Sequence, residues 1–138
     1  MHASIANGVV KGFDLEEALN VPGVVKIVTC FDVPDCRYPT AGHPWSVEMH
    51  HRDICDRKIL NQRVRFYGDD IAAVIAENEV AAVQAARLVK VEYEIYEPIV
   101  TVAAAMKENA VPLHPDIRKD NVIAHSHMTM GSSDFSCL

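Results

Sequence analysis

No stretch of this chain approaches the roughly 18 consecutive apolar residues that cross a bilayer. Its opening also lacks the basic, apolar and small-residue succession of a secretory signal. A soluble, cytoplasmic protein without a membrane partner is therefore expected. Positive charge is scarce as well: 13 Lys and Arg stand against 19 Asp and Glu, a net charge of −6. Phosphate backbones are held by clustered cations, so nucleic acid is not an expected partner. Glycine and proline number only 6 and 7, too few for a fibrous or low-complexity chain. Cys30, Cys36, Cys55 and Cys137 include no Cys-x-x-Cys pair, so neither a zinc knuckle nor a ferredoxin cluster has its spacing. Free thiols in a reducing compartment are the expectation. The sequence also lacks the G-x-S-x-G, P-loop and G-x-G-x-x-G motifs, and with them the usual marks of hydrolases, phosphate cradles and dinucleotide sites.

What remains is an ordinary globular composition, 49% hydrophobic and 23% charged over 138 residues, enough for one domain with one core. Asp14, with Glu17 three residues on, has capping-box spacing and predicts a short helix over 15–20. Pro22 and Gly23 stop it, and the β-branched run from Val24 to Thr29 reads as a strand. From Pro34 to Lys58 the chain holds three prolines, three histidines and its one Trp with no apolar period. That predicts a long loop, a class of segment that commonly carries interaction or function.

Beyond it, Gly68 permits a sharp turn, and the apolar run from Ile71 to Ala76 predicts a strand buried on both faces. Asn78 caps a predicted helix over 79–90. Its apolar face comprises Ala81, Ala85 and Leu88 with Ala82, Ala86 and Val89 alongside, and Leu88 is the expected core anchor. Val91, Tyr93 and Ile95 alternate with Glu92 and Glu94, which predicts a strand with one solvated face. Pro98 ends that strand, Thr101 caps a helix over 102–107, and a short strand is a candidate at 121–124.

Candidate chemistry is thin. Asp69 and Asp70 are adjacent carboxylates, a pair able to hold a hard cation or share a proton. Neighbours on a strand point to opposite faces, however, which favours a turn and solvent role. His50, His51 and Cys55 offer ligands suited to zinc only if the loop folds back on itself, and His125 with His127 would share one face of a strand. Neither group has a standard metal spacing. Cys30 closes a predicted buried strand, whereas a reactive thiol needs an electropositive, partly exposed setting, so it reads as an inert core thiol. Trp45 is equally an interface anchor or a plug for the domain's own core. No catalytic, cofactor-binding or metal-ligating residue is assigned.

Four segments then form a recognisable series: "MHASI" at 1–5, "ALNVPGVVKIVTCFDVP" at 18–34, "RVRFYGDDIAAVIAENEVAAVQAARLVKVEYE" at 63–94 and "LHPDIRKDNVIAH" at 113–125. Their order and spacing resemble the α/β hammerhead domain of the molybdopterin-binding subunit of xanthine dehydrogenases and aldehyde oxidases. "TAGHPWSVEMHHRDICDRKIL" is more similar to the xanthine dehydrogenase branch. The resemblance implies an α+β fold, with a mixed β-sheet backed by one main helix near 79–90 and shorter helices near 15–20 and 102–107. It implies a hammerhead domain over 1–125 and a truncated or disordered tail over 126–138 that leads to further domains.

By the same resemblance, the parent enzyme hydroxylates a purine with water as the oxygen source. Molybdopterin with molybdenum would lie in the later domains of that subunit, and iron–sulfur centres and FAD in partner domains or subunits. None of these cofactors is expected in this chain, which would be structural support and contact surface, inactive alone. Its partners would be the downstream molybdopterin-binding domains, the iron–sulfur and flavin subunits and, for the isolated chain, a second copy forming a homodimer through an uncovered sheet edge. Where family members carry Gly-Gln-Pro this chain has Gly68, Asp69 and Asp70, so no contact of that Gln is carried over. The alternative is a self-standing interaction module that binds a protein through the loop 34–58.

Overall fold

Strand β1 (Gly8–Asp14) lies between β5 (Arg63–Val64) and β7 (Lys90–Ile95), and both pairings are antiparallel. This is a computed structural model, and it describes residues 1–39, 55, 57–115, 119–122 and 130–131. Two glycines shape the central strand. A Cβ on Gly8 would run into the Glu94 carbonyl oxygen of the neighbouring strand, so the close approach of β7 requires glycine there. Near Gly12 the register shifts, which pushes Lys11 out of the ladder. These interruptions break the period of two, and for that reason the sequence pattern predicted neither β1 nor its partner β5.

The second sheet pairs β2 (Val24–Thr29) with β6 (Ala72–Ala76), again antiparallel, with a register shift between Val24 and Lys26. A third, very short pair joins β3 (Arg37–Tyr38) to β4 (Arg57–Lys58). The expected long loop 34–58 is thus closed at its base by a ladder and by a 2.7 Å ion pair between Lys58 and Asp35. The expected α+β hammerhead architecture is present, with its strands distributed over these three antiparallel sheets among the described residues.

Three helices complete the described chain: α1 (Glu16–Leu19), α2 (Glu79–Leu88) and α3 (Val102–Ala105). The predicted caps at Asn78 and Thr101 form. Each side chain accepts a hydrogen bond from the backbone N–H three residues on, at 2.9 Å from Ala81 and 3.1 Å from Ala104. Asp14 instead ends β1, and its carboxylate accepts from the Glu16 N–H at 3.2 Å. Glu17 pairs with Lys90 at 2.5 Å, so the capping box is replaced by a tie from α1 to β7. Asn121 and Val122 lie outside any strand, and 123–124 lie outside the described residues.

Helix α2 meets the β2–β6 sheet and α1 through alanine. Ala81, Ala85 and Val89 are buried with Ala18 and Ile27, and the small side chains let the backbones approach closely. Gly23, at φ +88, turns the chain beneath this helix, where an added Cβ would sit 3.4 Å from that of Ala81. Phe13 and Val91 touch both this cluster and the one formed by Ala3, Val10, Val64 and Ile71. They join the two sheets into one core.

Two packing expectations are corrected. Leu88 is not the core anchor: it is 37% exposed, because the buried stripe runs through positions 81, 85 and 89 and leaves 88 one step around the helix. Strand β6 is not buried on both faces, since Ala73 is exposed and Ile75 is 48% exposed while Ile71 and Ala72 are buried. No element among the described residues covers that side of the sheet. Thermal melts of single variants test this packing. Gly8→Ala and Ala85→Leu should each destabilise by about 1–3 kcal/mol through forced shifts in close-packed surroundings. Leu88→Ala should cost about 1 kcal/mol or less, and a larger loss there than at Ala85 would reverse the helix phase.

Candidate functional site

The groups with the greatest chemical potential gather where residues 1–3 run antiparallel to residues 68–72. The turn begins at Gly68, whose φ of +92 needs glycine. Its N–H donates to the Ala3 carbonyl at 3.0 Å, and Ala3 N–H donates to the Asp69 carbonyl at 2.8 Å. The adjacent carboxylates then separate. Asp70 faces outward and pairs with His2, Oδ1 to Nδ1 at 3.0 Å. Asp69 turns inward and is 2% exposed. The expected opposite facing of the pair is present, but the solvent role for Asp69 is overturned, because the turn drives its side chain into the protein.

Asp69 is held by its own chain. Its Oδ1 accepts from the Asn61 amide at 2.9 Å, and its Oδ2 accepts from the Arg65 backbone N–H at 3.3 Å. The Arg57 guanidinium lies 3.9 Å away, itself stacked over the Phe66 ring at 5.1 Å from the centroid. Burial pushes the Asp69 carboxyl above its ordinary value, against the opposing pull of these donors and of the Arg57 charge. The carboxylate therefore ties β4 and the segment 61–65 to the core. Occupied in this way, it offers no open position for a substrate.

Cys30 sits nearby, partly buried against the cluster that contains Ile71. Loss of solvent pushes its thiol up to about 11, so at neutral pH it is protonated and a poor nucleophile, as its place at the end of β2 suggested. Arg63 is also committed to structure. Its guanidinium donates to the Gly8 carbonyl at 2.9 Å and lies 5.3 Å from the centroid of the Tyr96 ring. The segment after β7 is clipped back in the same manner: Arg65 donates to the Leu113 carbonyl at 2.8 Å, and Asn121 bridges Leu113 N–H and the Ala105 carbonyl at 2.8 and 2.9 Å. None of these polar ties was visible in the sequence, since they join residues from 8 to 55 positions apart in the chain.

Among the described residues no three His, Cys, Asp or Glu side chains converge. Cys55 is exposed, while His50, His51, Trp45, His125 and His127 lie outside the described residues. A cavity of about 230 Å³ lies between Asn7, Tyr96 and Val111, and a groove of about 510 Å³ between Val21, Pro22 and Leu88. Glu97 and Lys107 also line the first, and Glu17 and Arg87 the second. No helix among the described residues is long and apolar enough to cross a membrane.

The described residues thus define a class: an α+β module in which Asp69, Arg63 and Asn121 are hydrogen-bonded within the fold. The chain belongs to the family of the aldehyde oxidase and xanthine dehydrogenase a/b hammerhead domain, whose model matches residues 1–98. It is 39% identical over 132 residues to the xanthine dehydrogenase molybdenum-binding subunit of Escherichia coli O157:H7, which covers 96% of this chain and 17% of that protein. It is 33% identical over 123 residues to the aldehyde oxidoreductase of Megalodesulfovibrio gigas, covering 83% of this chain and 13% of that protein. The solved aldehyde oxidoreductase from Desulfovibrio gigas superposes with a TM-score of 0.69 at 36% identity, over 83% of this chain and 12% of that one. The chain thus spans about a sixth or less of the length of these relatives, and the similarity favours the xanthine side of the family.

Three measurements test this arrangement. The raised carboxyl of Asp69 means that the folded state binds more protons than the unfolded one between the ordinary value of 3.8 and the raised value, so this group favours folding less as pH rises through that window. On acidification from neutral, the wild type should therefore gain stability relative to Asp69→Asn, and a relative loss in pH-dependent melts would mean that the Arg57 pairing dominates. Asp69→Ala should cost about 3 kcal/mol, because it strands buried donors on Asn61, Arg65 and Arg57. Alkylation at pH 8 followed by peptide mapping should modify exposed Cys36 and Cys55 about tenfold or more faster than Cys30, and equal rates would place the Cys30 thiol in solvent.

Proposed function

We propose that this chain is the hammerhead portion of a molybdenum hydroxylase of the xanthine dehydrogenase type, serving as a folded support against which the remainder of the molybdenum-binding subunit is built. One observation carries the reading. A relative that matches nearly all of this chain is a molybdenum-binding subunit of which the chain amounts to only 17%. The geometry agrees with a supporting part, since Asp69, Cys30, Arg63 and Asn121 are engaged within the fold itself.

In this reading residues 1–125 form the hammerhead domain and 126–138 lead toward the domains that follow. The parent enzyme hydroxylates a purine in the cytoplasm with water as the oxygen source. Molybdopterin and molybdenum belong to the later domains, and iron–sulfur and flavin centres to partner domains or subunits. The described residues do not suit the molybdenum cofactor themselves: no set of three acidic, imidazole or thiolate donors converges among them, and the buried Asp69 carboxylate already accepts from Asn61 and Arg65. No catalytic step is assigned to this chain.

Purified, tag-free chain analysed by plasma mass spectrometry should carry no stoichiometric molybdenum, iron or zinc, and with xanthine and a dye acceptor it should not exceed the protein-free blank. Equimolar molybdenum or turnover above the blank would move the chemistry into these residues and overturn the support reading.

A further inference from the structure

The two outer sheet faces of this chain are built differently. On the three-stranded sheet the outward positions carry Lys11, Glu92 and Glu94, and Lys11 forms an ion pair with Glu94. That is the polar exterior expected of an antiparallel sheet with one face in water. On the β2–β6 sheet the register places Lys26 opposite Ile75 and Val28 opposite Ala73 on one face, while Ile27 and Val74 face α2 and the core. The outward set is therefore Val25, Val28, Ala73 and Ile75 around a single charge, Lys26. Val25 is 66% and Ile75 48% exposed. A chain that makes one outer face polar and the other apolar, within the same fold, has written the second one for cover.

We infer that this outer face of β2–β6 is the surface on which the rest of the molybdenum-binding subunit docks, through an apolar patch that presents a carboxylate to Lys26. This rests on the support reading above. The choice of occupant follows from the lengths, since 83% or more of the relatives' chains lies outside the part matched here. It also follows from the composition of strand β6, whose unbroken apolar run Ile71 to Ala76 is that of a strand covered on both sides although only one side is covered among the described residues. Lys26 is the one charge among these strand positions; its field reaches Asp32 beyond the end of β2, and covering its ammonium calls for an opposite charge in the covering surface.

The test places the 138-residue chain in the Escherichia coli relative in exchange for the segment it matches, and compares acetylation rates of individual lysines in this chimera and in the free chain. Lys26 should label about tenfold or more slowly in the chimera, while Lys11 and Lys90 on the polar sheet should keep their free-chain rates. Ile75→Glu or Val25→Glu should restore fast labelling of Lys26 in the chimera and leave the melting temperature of the free chain within about 3 °C. If Lys11 or Lys90 slows and Lys26 does not, the docking face is another one and the inference fails while the support reading stands. If no lysine slows, both fail. Slow Lys26 labelling in the free chain that recovers on dilution would give the face to a second copy and overturn the inference.

Discussion

The segment from Asp69 to Ala72 is the constraint on which the other elements depend. Its peptide groups are shared among three separate parts of the chain. Asp69 and Ala72 carbonyls accept from Ala3 and Met1, Asp70 accepts from Asn61 at 2.6 Å, and Ile71 accepts from Cys30 at 3.0 Å. Immediately afterward the same backbone becomes β6 and pairs with β2. One extended run therefore fastens the amino-terminal residues, the approach to β5 and the end of β2 to a single line. Buried backbone groups left without these partners would each carry a large desolvation cost, so the arrangement cannot be loosened at one point without penalty at another. The inward turn of Asp69 belongs to the same arrangement, because its carboxylate supplies acceptors where the backbone of Arg65 and the side chain of Asn61 would otherwise be buried donors.

This accounts for a domain rich in ordered polar contacts and poor in available chemistry. A carboxylate that satisfies buried donors is fixed in place, and a thiol desolvated against Ile71 stays protonated. Such groups serve rigidity, which is what the proposed supporting role requires. The asymmetry of the two sheets belongs to the same account. Polar side chains cover the sheet that closes on β1, while the sheet backed by α2 keeps an apolar exterior among the described residues.

Much of the local structure was legible from the residues. Strand β2 begins and ends where its β-branched run does, Asn78 and Thr101 cap the helices they were expected to cap, and the strict alternation in "VEYEI" marked the half-solvated β7. Local signals of this kind depend on neighbours within a few positions. What went unread had a nonlocal cause. β1 carries Gly8 for the sake of β7 lying close beside it and bulges next to Gly12, and glycine within a single sequence looks like interruption. Leu88 has the right chemistry for a core, yet the crowding of α1 against α2 favours the alanines and leaves the larger residue at the rim of a groove.

The sequence alone determined the class of fold, the family and the want of a catalytic motif, because these reside in periodicity, caps and ordered landmarks that survive in one dimension. Only the tertiary structure decided that Asp69 is buried while Asp70 is not, that the loop 34–58 is closed by a ladder, and that among the described residues β6 is covered on one side alone. Burial is a property of what lies opposite a residue, and what lies opposite is set by chain segments tens of residues away.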